Sequence, residues 1–158
     1  MSAKVLPLRE ATTRIALRGA SFEAPSNWEE ETVLVFRAPG ELPQPTVSVS
    51  RIQPPRGGST LETMLAQRIA VLSRLLAGVE VEETRETTTS VGRGVSVRFT
   101  FEELEGTFVQ RMTLVDAADA VYVLVGRSTT DRAMEMNAIF DHLTATFRPA
   151  LAGASGPR

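Results

Sequence analysis

The chain has 158 residues, with 17 Lys and Arg against 19 Asp and Glu, a formal charge of −2, a single histidine and no cysteine. A domain of that length buries about 70% of the surface its unfolded chain exposes and needs no metal or disulfide staple. The lack of cysteine excludes a disulfide framework, a thiol nucleophile and a zinc ribbon, and basic residues scattered among acidic ones exclude electrostatic binding of nucleic acid.

Residues 1–13 read as a flexible lead-in, residues 14–149 as one domain and residues 150–158 as a frayed tail. Before Arg9 and Glu10 there are too few apolar residues for a signal peptide, and no cysteine is available for lipidation. Runs such as Val121–Val125 fall far short of the roughly 20 apolar residues that span a bilayer, so the expectation is a soluble, cytoplasmic protein.

The stretch from Arg14 to Phe22 reads as a first strand ending at Pro25, and Trp28 as a plug at a sheet corner. Two strands are predicted over 32–37 and 46–51, joined by a stiff loop holding Pro39, Pro43 and Pro45. Period-two alternation puts Val33, Val35, Thr46, Ser48 and Ser50 on one face of that pair, and Leu34, Phe36, Val47 and Val49 on the other. One face is expected to be ordinary core. The hydroxyl-bearing face mixes branched apolar groups with small polar ones, which suits an apolar helix that still seeks hydrogen bonds.

Ser59-Thr-Leu-Glu62 has the pattern of a capping box, in which Ser59 caps and Glu62 reaches back. Leu61, Leu65, Ile69, Leu72 and Leu76 recur at spacings of three and four, which predicts a helix over 60–77 closed by Gly78. Four strands follow over 79–88, 91–103, 107–115 and 120–128, and links this short make an antiparallel meander. Thr130-Asp131 opens a second helix, with Met136, Ile139, Phe140, Leu143 and Phe147 at helical spacing before Arg148-Pro149 stops it. The fold class is therefore α+β, a curved antiparallel sheet of about seven strands with two amphipathic helices. If both helices pack on one side, the other face stays open or meets a partner.

Chemistry is sparse along this chain. His142 lies beside the apolar stripe of the second helix, as a surface residue does, and has no serine or cysteine partner in the pattern. Glu102, Glu103 and Glu105 mark a solvated hairpin end, and Glu80, Glu82, Glu83 and Glu86 a polar strand edge. Gly57-Gly58-Ser59-Thr60 lacks the lysine and spacing of a P-loop and is explained by a capped helix start. No metal-ligand cluster, cofactor site or catalytic pair emerges, and a non-enzyme is expected. Two amides stand out: Gln67, off the core stripe of the first helix, and Gln110, inside an otherwise apolar strand. Either is a surface residue or a hydrogen-bonding anchor for a bound chain.

The line Phe22-Glu-Ala-Pro-Ser-Asn-Trp28, then Val33-Leu-Val-Phe36 and Val47-Ser-Val-Ser-Arg51, a helix with Ala66-Gln-Arg68, a strand with Gln110 and the ending Phe147-Arg-Pro149 resembles the DcrB-like family. Within it the pattern is similar to the Eag chaperones of the bacterial type VI secretion system, over about residues 14–149. The resemblance implies a PsbP-like fold that forms a homodimer and binds the apolar N-terminal transmembrane segments of secreted effectors, shielding them and aiding their loading onto the secretion spike. It also implies a client groove with Val33 and Val35 as its floor and Thr46, Ser48, Ser50, Gln67 and Gln110 as hydrogen-bonding groups. A second reading, of another class, is a small-ligand or lipid-binding PsbP-like module without catalysis. A closed, ligand-sized pocket favours that one, and an open cleft the first.

Overall fold

A computed structural model of the protein describes residues 12–17, 20–25, 33–53, 57–117 and 120–149, and side chains from Val33 onward. Trp28, the lead-in before Thr12 and the tail from Ala150 lie outside these residues. The chain divides into two units, Met1–Glu31 and Thr32–Arg158. In the first, β1 (Thr12–Leu17) and β2 (Ala20–Pro25) form an antiparallel hairpin, Thr12 opposite Pro25 and Leu17 opposite Ala20. The single strand expected here is therefore two, and Gly19, lying between them in sequence, is the turn signal that was passed over.

The second unit runs β3 (Val33–Arg37), β4 (Thr46–Ile52), α1 (Leu61–Leu75), β5 (Ala77–Thr89), β6 (Gly92–Glu103), β7 (Gly106–Ala117), β8 (Ala120–Thr129), a 3-10 turn and α2 (Ala133–Thr146). Its strands form one open antiparallel sheet in the order β3-β4-β8-β7-β6-β5. The class is α+β as expected, but the described sheet has six strands rather than about seven, since the N-terminal hairpin is a sheet of its own.

Alternation along β6, β7 and β8 makes both faces of the sheet apolar, and each face takes one helix. Leu61 and Leu65 of α1 join Val95, Val97, Phe99, Leu114 and Val123 in one core cluster. Met136 and Phe140 of α2 join Val47, Val109, Val115 and Leu124 in another. The helices thus lie on opposite faces, so the case of both on one side, which would have left a whole face open, does not arise. The signal was present in the strands: Val109 and Val115 alternate with Phe108 and Leu114, so neither face of β7 tolerates water. Gly126 of β8 lets α2 come close, because a Cβ there would lie 2.7 Å from both Met136 Sδ and Phe140 Cδ2.

Each helix covers only part of its face. α1 contacts β5, β6 and β7, whereas α2 contacts β8 and β4. On the α2 side the area by β5 and β6 is polar and laced with ion pairs, Arg98 to Glu82 at 2.7 Å and Arg111 to Asp141 at 2.7 Å, the Arg111 guanidinium lying over the Phe140 ring. On the α1 side the corresponding area by β3, β4 and β8 carries no helix among the described residues.

Candidate functional site

Strand register fixes which side chains stand together there, with β3 exposed, β4 half-buried, and Val123, Leu114, Met112 and Gln110 of β8 and β7 buried. Ser50 stands between Val33 and Val123, and Leu114 follows Val123. Ser48 stands between Val35 and Val125, which is followed by Met112. Thr46 stands between Arg37 and Arg127, which is followed by Gln110. Neighbouring strands are about 4.8 Å apart, so these are three rows of touching side chains on one face. Val33 and Val35 are 52% and 51% exposed, and Thr46, Ser48 and Ser50 are half-buried.

Gln67 reaches the same face from above. It lines an open groove of about 440 Å³ along the flank of α1, with Ile52, Met64, Val71, Leu72 and Met112. Gln110 lies on β7 two residues from Met112 and is only 8% exposed. Its amide has no hydrogen-bond partner among the described residues and still reaches solvent, which leaves it open to a polar group brought to it. All seven residues singled out in the sequence therefore share one side of one sheet: five on β3 and β4, one on β7 and one on α1.

The opposite face of the β3–β4 pair departs from expectation. Val47 is buried against α2, but Leu34 and Phe36 are 55% and 58% exposed, so only the β4 half of it is core. β3 is the outer strand, and its Phe36 lines an open groove with Met136 and Ile139 of α2 without being buried by them.

Several residues of the uncovered face were missed. Val125, Met112 and Ile52 extend its apolar floor, a placement that needs the β4–β8 pairing and so cannot be read from alternation within one strand. Arg127 is another. Its guanidinium lies 4.5 Å from the centre of the Phe108 ring and 5.0 Å from that of Phe101, and it donates to Glu103 Oε2 at 2.5 Å. Glu103, read as part of a solvated turn, is half-buried and holds this arginine in place. Across α1 lies a second apolar groove of about 550 Å³, lined by Leu65, Ile69, Val81, Val95 and Val97. Neither groove is a closed cavity.

Elsewhere the chemistry is plain. His142 is exposed on α2 and its carbonyl accepts from Thr146 Oγ1 at 2.7 Å. Among the described residues no group of three or more His, Asp or Glu is placed to hold a metal ion, and no described helix is long and apolar enough to cross a membrane.

The family model described as DcrB matches residues 19–152. No curated protein matches the chain in sequence. Among solved structures, PA94 of Pseudomonas aeruginosa, a protein of unknown function described as a putative regulator, is 15% identical, with a TM-score of 0.70 over 89% of this chain and 99% of that one. LpqN of Mycobacterium tuberculosis, involved in cell envelope biogenesis, is 12% identical, with a TM-score of 0.44 over 85% of this chain and 87% of its own. Cyanobacterial PsbP from Synechocystis is 11% identical, with a TM-score of 0.49 over 91% and 94%. The likeness to PA94 shows a shared fold.

Proposed function

Since this chain belongs to the DcrB family, we propose that it is a non-catalytic chaperone whose uncovered half-face holds an apolar helical segment of a client protein. In this reading the client is a type VI secretion effector, the segment is its N-terminal transmembrane region, and the chaperone works in the cytoplasm as a homodimer that aids loading onto the secretion spike. The observation that carries it is the gathering of Val33, Val35, Thr46, Ser48, Ser50, Gln67 and Gln110 on one side of the sheet, on and beside the part that α1 leaves uncovered.

The physical case rests on two terms. An apolar helix left in water loses on the order of 25 cal/mol per Å² of wet apolar surface, and exposed Val33 and Val35 with half-buried Val125 offer a surface to bury it against. Hydroxyls and amides among them imitate the small polar contacts by which transmembrane helices recognise one another. An open groove also favours this reading over the small-ligand alternative, since ligand pockets enclose most of what they bind.

The test is co-expression with a soluble carrier bearing an apolar segment of about 20 residues dotted with Ser and Thr. Wild-type chain is expected to co-purify with it, and Val35→Asp or Ser50→Asp to lose it while keeping the far-UV circular dichroism of the fold. Equal recovery by all three would remove these positions from the groove, and no recovery by wild type rejects the chaperone reading.

A further inference from the structure

The strip of sheet beside the groove that Gln67 lines is charged differently at its two ends, and this bears on which segment it accepts. At one end Arg37, Thr46, Arg127 and Gln110 stand in a single row across β3, β4, β8 and β7. Arg127 there is joined to the carboxylate of Glu103. Arg37 is exposed and has no ion-pair partner among the described residues. Stacking on Phe101 and Phe108 fixes where the Arg127 charge sits. The opposite end is formed by Ile52, Val121 and Asp116, in register on β4, β8 and β7; among the described residues its charges are the exposed carboxylate of Asp116 and, one strand on, Arg93 paired with Glu62 and Glu86, which leaves that end net acidic. The two rows between them, on the same strands, carry no charge. Arg68 of α1 flanks the groove beside Met112 and favours neither end.

The groove runs along the strands, because α1 does. Glu62 at the start of α1 is paired with Arg93 at the start of β6, and Gly78, just past its end, faces Glu102 near the end of β6. From Asp116 to Gln110 is six strand residues, about 20 Å, which is the length of roughly 13 helical residues.

We propose, resting on the chaperone reading, that the groove selects an apolar helix bounded by unlike charges, an acidic residue lying at the Arg37–Arg127 end and a basic residue about 13 positions away at the Asp116 end. The partner is thereby defined by chemistry and by direction. A segment with lysines at both ends meets Arg37 and Arg127 with like charge, and one with acids at both ends meets Asp116 likewise.

The chain has no cysteine, so a single Gln44→Cys, in the β3–β4 loop beside Arg37, takes one spin label. Carrier-fused segments with acidic and basic, neutral, or doubly basic flanks are compared for affinity, and a fluorophore at either flank reports by quenching which end lies near the label. The unlike-flanked segment is expected to bind about threefold or more tightly than the neutral one at low salt, an advantage that shrinks as salt is raised. Its acidic flank is quenched. In Arg37→Glu with Asp116→Lys, the basic flank is quenched instead. Equal affinity for all flanks, or the same flank quenched in both proteins, overturns the charge-selection proposal while leaving the chaperone reading intact. Failure to bind any of the segments overturns both.

Discussion

At the scale of single residues, the fold and the candidate site make opposite demands on polarity and space. Gly126 is a fold residue: a methyl group there overlaps Met136 and Phe140, so Gly126→Ala is expected to cost about 1–3 kcal/mol in urea denaturation. Gln110 is the reverse case. It is only 8% exposed, yet its amide, without a partner among the described residues, keeps contact with solvent, so an apolar replacement of similar size loses no hydrogen bond within the fold. Gln110→Leu is therefore expected to leave the denaturation midpoint unchanged or to raise it, while weakening capture of a hydroxyl-dotted apolar segment. A fall in stability would mean that the amide is satisfied within the fold. What the sequence showed at this scale was residue type and face. Val33, Val35, Thr46, Ser48 and Ser50 follow from alternation alone, whereas Arg127 depends on pairing with β4 and on rings two strands away, which no local pattern encodes.

At the scale of elements, helix and strand types were legible and their ends less so. The capping box at Ser59 and Glu62 located the start of α1 to within one residue, yet the cap is Thr60, whose side chain accepts from the Thr63 backbone N–H at 3.2 Å. Glu62 instead pairs with Arg93, a residue far along the chain, and so cannot reach back. Thr60→Ala should cost about 1 kcal/mol of stability and Ser59→Ala close to nothing, measured by equilibrium unfolding of the two variants side by side. The meander of β5 to β8 was readable because its links are short. Placing the helices was not, because helical spacing tells which stripe is buried and is silent on which side of the sheet buries it. β5 closes one edge of the sheet with Glu80, Glu82, Glu83 and Glu86 exposed, an arrangement that discourages pairing with another chain.

At the scale of the whole molecule, the proposed capture of an apolar segment on a half-covered face would link binding to stability. A ligand held only by the folded state adds about 2.7 kcal/mol when present at a hundred times its dissociation constant. For a domain of this size that is a rise of roughly 5–10 °C in the thermal midpoint. The expected result is such a rise with the apolar segment and none with the Val35→Asp variant, read by calorimetry at fixed protein concentration. The same layout separates two kinds of sequence change. All five residues of β3 are exposed, and both core clusters are built from α1, α2 and β4 to β8. Mutations in β3 are therefore expected to carry small folding penalties, and on the proposed reading a lineage can drift toward a new clientele there while selection on the scaffold continues undisturbed.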